Sequence, residues 1–462
     1  MRRLSLLLRQ FHLFMKRVFI IGVDYFFQYL RMLNIAELKL RRRQLLAAVK
    51  KEAVIMLIAA PECLRNGDVY YPYRQNSDFY YLTAFPEPDA IALLLPNTDE
   101  GKLILFNRPD DPEEAIWHGQ SIGQERARKD YGVDEAYSID QLEAKLPAYL
   151  DNCQSVYCLG SRDLRLIKRI DNILAKMNQS STRKDGTGLS HKLHEMRLKK
   201  SPAEIDCLRK AATISAKAHR RVLQACRPGD YEYQLEAKLL YEFYQQGCRA
   251  VAYPSIVASG SNACILHYTD NSAILKSGDL VLIDAGCEYL SYASDITRTF
   301  PVNGRFSPEQ KAIYDIVLRA QKAVIALIKP GVVWDSLQNC CIQVITEGLC
   351  DLGLLKGNVS ARIEDKSYKK FYMHGCSHWL GLDVHDVGSY KQGGEWRSLQ
   401  ENMVFTVEPG IYVRKSFCVD KKWWDIGIRI EDDVRVTKDG VDVFSQAVPK
   451  EISEIESLMR RA

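Results

Sequence analysis

The 462-residue chain contains no run of about 20 uncharged apolar residues, so no stretch of it reads as a bilayer-spanning helix. Its 13 cysteines include no C-x-x-C pair. An odd number of scattered thiols suits reduced cysteines in a reducing compartment, the cytoplasm, better than a disulfide framework or a thiolate zinc site. The adjacent Cys340 and Cys341 read as core filling. Repeats and low-complexity tracts are also missing to the eye. Basic excess is confined: of a net charge of +5, the first 50 residues hold 11 Lys/Arg against Asp24 and Glu37, leaving −4 for the remainder. Nucleic-acid binding needs a long basic face with interleaved aromatics, and the body of the chain has none.

Apolar content of 47% and charged content of 26% are ordinary globular values. Single cores stop growing near about 250–300 residues, so two domains are expected. Residues 1–35 stand apart. Arg2, Arg3 and Leu4–Leu8, then Lys16, Arg17 and Val18–Val23, mimic a targeting signal, but Asp24 and Arg31 interrupt it and no small-residue cleavage site follows. This segment reads either as a start called too early, with Met32 as the true one, or as a basic amphipathic extension touching a membrane surface.

From Ala36 to Arg183 short apolar runs alternate with turn residues. Val54–Ala60, Ala90–Leu95 and Lys102–Phe106 read as strands, and Leu142–Leu150 and Leu164–Met177 as helices. Polar residues from Asn178 to Gly188 read as a linker. Beyond it, Ser201-Pro202-Ala203-Glu204 sets a capping hydroxyl, a first-turn proline and an N3 carboxylate in helix-starting order. That helix should run to about Ala225, and a second from Tyr231 to Gln246.

Four segments could carry chemistry. Asp284 ends the apolar run Leu280–Ile283, and Asp295 lies on the returning run. With a turn at Tyr289-Leu290 the two aspartates would be directly opposed, a repulsive arrangement that a divalent cation would relieve. A pair bonded to turn amides and solvent is the alternative. His374, His378 and His385 fall within 12 positions punctuated by Gly375 and Gly381, which argue against a helix-borne zinc motif. Glu408 stands just before Pro409-Gly410, and Arg429 and Glu431 alternate with Ile426, Ile428 and Ile430. Each acid taken alone reads as structural. Taken together, four carboxylates and one imidazole make an oxygen-rich donor set suited to manganese, cobalt or magnesium, and four negative charges match two divalent cations, which could share a hydroxide between them.

These segments, with Tyr71-Pro-Tyr-Arg-Gln-Asn-Ser-Asp-Phe-Tyr-Tyr-Leu-Thr-Ala-Phe-Pro-Glu-Pro88, resemble the aminopeptidase P branch of the metallopeptidases related to prolidase, creatinase and methionine aminopeptidase. The resemblance runs from Ala36 to the C-terminus. It implies an α/β (α+β) fold: a creatinase-like N-terminal α/β domain over 36–183, then a pita-bread catalytic domain over 184–462. It implies two divalent metal ions, taken as Mn2+, with Asp284 on one, Asp295 and Glu431 bridging, and His378 and Glu408 on the other. His267 and His385 resemble the histidines at the scissile carbonyl and tetrahedral intermediate, with Glu408 as proton carrier. His374, Tyr390 and Arg429 resemble the proline side of the pocket. Trp117 and Arg183 resemble contacts reaching in from a neighbouring subunit, which makes a homodimer or homotetramer the expected assembly. The implied activity is release of the residue before a second-position proline by a hydroxide bridging the metals. A prolidase restricted to dipeptides and a non-catalytic binding protein on the same fold are the alternatives.

Overall fold

The computed structural model describes residues 35–96, 101–151, 153–160, 163–177, 182–184, 186–415 and 419–460. The readings made for residues 1–34 lie outside these. The chain divides into two compact units, Met1–Met196 and Arg197–Ala462.

The first unit is built on a six-stranded sheet in the order Glu135–Ser138, Lys102–Asn107, Ile91–Leu95, Ala53–Ile58, Ser155–Gly160, Thr182–Lys184. Its central strands are continuous apolar runs buried along their whole length, as a sheet covered on both faces requires. Helices Leu142–Leu150 and Leu164–Lys176 contribute Leu142, Leu146 and Leu150, and Leu166, Ile170 and Ile173, to the core cluster. That three- and four-residue spacing is one helical face. The polar segment 178–188 holds the edge strand Thr182–Lys184 and the start of helix Thr187–Leu198. Polar chemistry there belongs to a sheet edge and a helix start as well as to a connection.

In the second unit Ser201 and Glu204 form the capping box expected of them, and the helix spans Pro202–Ala225. Ser307, Pro308 and Gln310 repeat the device at helix Pro308–Leu327. Strand Leu280–Asp284 is the centre of a three-stranded antiparallel sheet between Ile256–Ser259 and Thr297–Pro301. The register differs from the sequence expectation: Asp284 pairs with Thr297, and the hairpin turn lies at Leu290-Ser291. Both turn residues have positive φ, 51° and 67°, the pattern of the type I′ turn that matches strand twist. Because side chains alternate with period two, this two-residue slip leaves Asp295 on the same face as Asp284.

Helix Pro202–Ala225 carries His219, whose Nε2 lies 2.9 Å from the Ala285 carbonyl oxygen, beside the Asp284 strand end. Burial lowers its pKa from 6.5 to about 4. The folded chain therefore holds the ring neutral, whereas the unfolded chain protonates it below about pH 6.5. The stabilisation is complete above that pH and is lost as pH falls toward 4, a linkage of roughly 3 kcal/mol. Thermal melts of wild type and His219→Gln between pH 7 and 4.5 should show the steeper acid loss in the wild type. Parallel curves would remove His219 from the acid response.

Candidate metal centre

Three acids stand at the ends of buried strands. Asp284 closes Leu280–Asp284, Glu408 follows Val404–Val407, and Glu431 lies between Ile426–Arg429 and Asp432–Val436. Strand pairing holds their backbones, and the Glu431 amide donates to the Thr297 carbonyl (3.0 Å) while the Glu408 amide donates to that of Cys376 (2.8 Å). Asp295 is fixed by its own amide, which donates to both carboxylate oxygens of Asp433 at 3.2 and 3.1 Å.

His378 sits on a non-helical segment clamped to Thr406, whose hydroxyl accepts from the His378 amide at 3.2 Å. Its Nδ1 donates to the Trp379 carbonyl (3.0 Å), which turns Nε2 toward Asp295 Oδ2 at 3.4 Å and Glu408 Oε1 at 3.6 Å. A ring fixed in this way presents one nitrogen for ligation. Burial works to lower the His378 pKa, but the hydrogen bond to Asp295 and the charges of Glu408 and Asp295 outweigh it and raise it to about 9.

The resulting cavity, of about 290 Å³, is lined by Leu266, His267, Asp284, Asp295, His374, Gly375, Ser377, His378, His385, Glu408, Arg429 and Glu431. Every metal-ligand candidate read from the sequence therefore opens on one space, together with His267, His374, His385 and Arg429. Asp295, His378 and Glu431 each offer one ligand atom within 4.8 Å of the others. Arg429 is the only guanidinium in the lining; it donates to Asp284 Oδ2 (2.6 Å), the Tyr412 hydroxyl (3.0 Å) and Thr297 Oγ1 (3.2 Å). Burial, then repulsion from Asp295, Glu408 and Asp284, pushes Glu431 well above the usual carboxylate range. Burial likewise raises Glu408 to about 7. Four acids held from water, with Arg429 and the cationic His378 among their neighbours, would carry an excess of negative charge when ionised, and hard divalent cations fit that donor set.

Around this centre the hydrogen bonds run in one direction. Arg429 donates to Tyr412, the Tyr412 hydroxyl donates to His374 Nε2 (2.9 Å), and His374 Nδ1 donates to the Gly375 carbonyl (2.7 Å). Burial, then the Arg429 charge, lowers His374 to about 4, so its ring is neutral. His385 packs edge-on against His378 with centroids 4.4 Å apart. Behind His385, the buried Asp386 takes Arg197 at 2.6 Å and Lys200 at 2.9 Å. A Cβ on Gly381 would come within 2.0 Å of Asp386 Oδ2, so only glycine admits that carboxylate.

Tyr390 is not in the lining; it stacks on Trp379 at 5.2 Å, and its hydroxyl accepts from the Trp379 amide at 3.1 Å. Trp117 and Arg183 belong to the first unit. Trp117 is 81% exposed on helix Pro112–His118, which has no buried residue, and Arg183 lies in the edge strand. Sequence reasoning missed Tyr253, whose hydroxyl lies 2.6 Å from Asp284 Oδ1 and 2.5 Å from Asp295 Oδ1. It also missed Asp433 and Tyr412. Asp433 stands two residues from Glu431, a signal that was available. Tyr253 follows a two-residue strand with no local pattern to mark it.

Residues 206–438 match the family described as metallopeptidase family M24, and residues 38–157 match the aminopeptidase P N-terminal domain. The chain is 45% identical over 435 residues to a Xaa-Pro aminopeptidase of Haemophilus influenzae, covering 93% of this chain and 99% of the relative. It is 43% identical over 429 residues to the Escherichia coli Xaa-Pro aminopeptidase, covering 92% and 97%. Its fold is similar to the solved structure of Pseudomonas aeruginosa aminopeptidase PepP, with a TM-score of 0.89 at 48% identity over 92% of this chain and 98% of that one.

Proposed function

Because the chain belongs to metallopeptidase family M24 and carries an aminopeptidase P N-terminal domain, we propose that it releases the N-terminal residue from peptides with proline in second position. The observation that carries this reading is the convergence of Asp284, Asp295, Glu408, Glu431 and His378 on one cavity with a single guanidinium. As a metallo-aminopeptidase it uses divalent metal. The proposed complement is two manganese ions, which Asp284, Asp295, His378, Glu408 and Glu431 would hold between them.

Bound cations would polarise the scissile carbonyl and make water acidic enough to attack near neutral pH. Glu408 takes the proton of the attacking water and hands it to the proline nitrogen as the C–N bond breaks. His267 contacts the scissile carbonyl oxygen, and His385 donates to the same atom as it gains charge. His374 and Arg429 shape the proline side, and Tyr390 supports it from behind Trp379. Trp117 and Arg183 serve the site of a neighbouring subunit in a homodimer or homotetramer, and the thiol-rich composition favours a cytoplasmic location.

A manganese-supplemented assay on Xaa-Pro-Yaa peptides tests this. Tripeptides should be cleaved before proline, with nearly all activity lost on chelation and regained with manganese. Cleavage of Xaa-Pro dipeptides alone would make the protein a prolidase. Bound metal without any peptidase activity would make it a binding protein.

A further inference from the structure

The cavity histidine with least support is His267. It is exposed, and no hydrogen bond to a described residue holds its ring. It lies on the 260–273 segment, which follows strand Ile256–Ser259 and is irregular apart from a short 3-10 turn at Gly260–Cys264. A catalytic contact on such a segment needs an anchor, because about 1 Å of misplacement costs up to roughly 100-fold in rate.

We infer that Glu232 is the positioning residue for His267, acting through this loop and not on substrate. The inference rests on the role proposed above for His267. Glu232 opens helix Glu232–Gln245 and has no exposed surface. Its Oε1 accepts from the Ser259 amide (2.7 Å), the Ser259 hydroxyl (2.8 Å) and Asn262 Nδ2 (3.2 Å). Its Oε2 accepts from the Tyr268 hydroxyl (2.8 Å) and the Ala273 amide (2.9 Å). One carboxylate thus ties both ends of the loop and the residue next to His267. The Glu232 amide closes the ring by donating to the Ala273 carbonyl at 3.0 Å.

One helical turn on, Glu236 accepts from Asn271 Nδ2 at 3.0 Å, and Asn271 holds the Val257 amide at 2.9 Å and the Ser255 carbonyl at 2.9 Å. The arrangement calls for a carboxylate: five donors converge, and an amide would turn N–H groups toward some of them. Tyr268 carries the constraint to its neighbour. Its ring is buried in the cluster with Ile256, Leu282 and Tyr412, so the hydroxyl bond fixes where the backbone leaves toward His267.

The test is a double-mutant cycle on the manganese-loaded enzyme with an Xaa-Pro-Yaa tripeptide. Glu232→Gln should lower kcat/KM by about 10- to 100-fold, with manganese stoichiometry unchanged. In a His267→Ala background the same substitution should change kcat/KM less than about twofold, the signature of two residues acting through one contact. Tyr268→Phe, which keeps the ring and removes only the hydroxyl, should show a smaller loss with the same non-additivity, and it carries the test if Glu232→Gln folds poorly. Additive losses, or wild-type kcat/KM in both anchor variants, would overturn the inference. Wild-type kcat/KM in His267→Ala alone would instead strike the role assigned to His267, and the inference with it.

Discussion

Glu408→Ala is expected to lower kcat/KM by about 10³-fold or more while the metal-free protein keeps its fold. Both roles proposed for Glu408, metal ligand and proton carrier, disappear together, so the loss should appear in kcat and resist added manganese. Fold retention follows from what Glu408 is bonded to. The loop position is set by its amide on the Cys376 carbonyl and by the strand before it. The side chain itself lies beside the neutral His374 at 3.7 Å and the charged His378 at 3.6 Å. Burial raises its pKa from 4.5 to about 7. With the folded pKa above the unfolded one, any stability this group contributes is present below about pH 4.5 and lost as pH rises through 7. In metal-free protein the alanine variant should therefore gain on the wild type in melting temperature across that interval. Turnover within tenfold of wild type would remove Glu408 from the mechanism.

The sequence made legible whatever was local. Ser201 to Glu204 marked a helix start that the structure places at Pro202. Uninterrupted apolar runs marked strands buried on both faces, and acids ending such runs pointed to a shared site. The turn near Leu290 was not legible because neither Leu290 nor Ser291 is a usual left-handed residue; the sheet on either side imposes their positive φ. The anchors were not legible for a different reason. Glu232 reaches Ala273 across 41 positions, and Arg429 reaches Asp284 across 145. A buried carboxylate whose partners are backbone amides leaves no spacing to read. Tyr390 shows what a matching segment leaves unsaid: its ring stacks on Trp379 and is not part of the cavity lining, a placement no spacing announces.

The largest loss of stability is expected from Arg298→Met, a residue that no motif singled out. Its side chain is fully buried. It donates to Asp432 Oδ1 and the Glu431 carbonyl, each at 2.6 Å, and to the carbonyls of Thr297 (2.9 Å), Val448 (3.1 Å) and Pro449 (3.2 Å). Asp432 is held ionised against burial by the charges of Arg298 and Lys450. Removing one member of a fully buried pair costs about 3–5 kcal/mol; here Asp432 would keep Lys450 at 2.5 Å but lose its buried counter-charge, and the guanidinium's bonds to four backbone carbonyls would go with it. Arg298→Met/Asp432→Asn should recover part of that, since part of the single-variant cost is a carboxylate left with Lys450 as its remaining cation. The effect should also reach the metals. The Glu431 carbonyl is bound by Arg298 and its amide by Thr297, so the backbone of a proposed metal ligand is pinned on both sides. Releasing one side should weaken manganese binding by about 10- to 100-fold, the usual cost of losing a group that orients a ligand. Denaturant unfolding and a manganese titration on the same variant separate the two effects. A stability loss below about 1 kcal/mol would mean that Lys450, Gln321 and Ser445 satisfy Asp432 without the guanidinium, and the bonds of Arg298 to the backbone beneath Glu431 would then count for little.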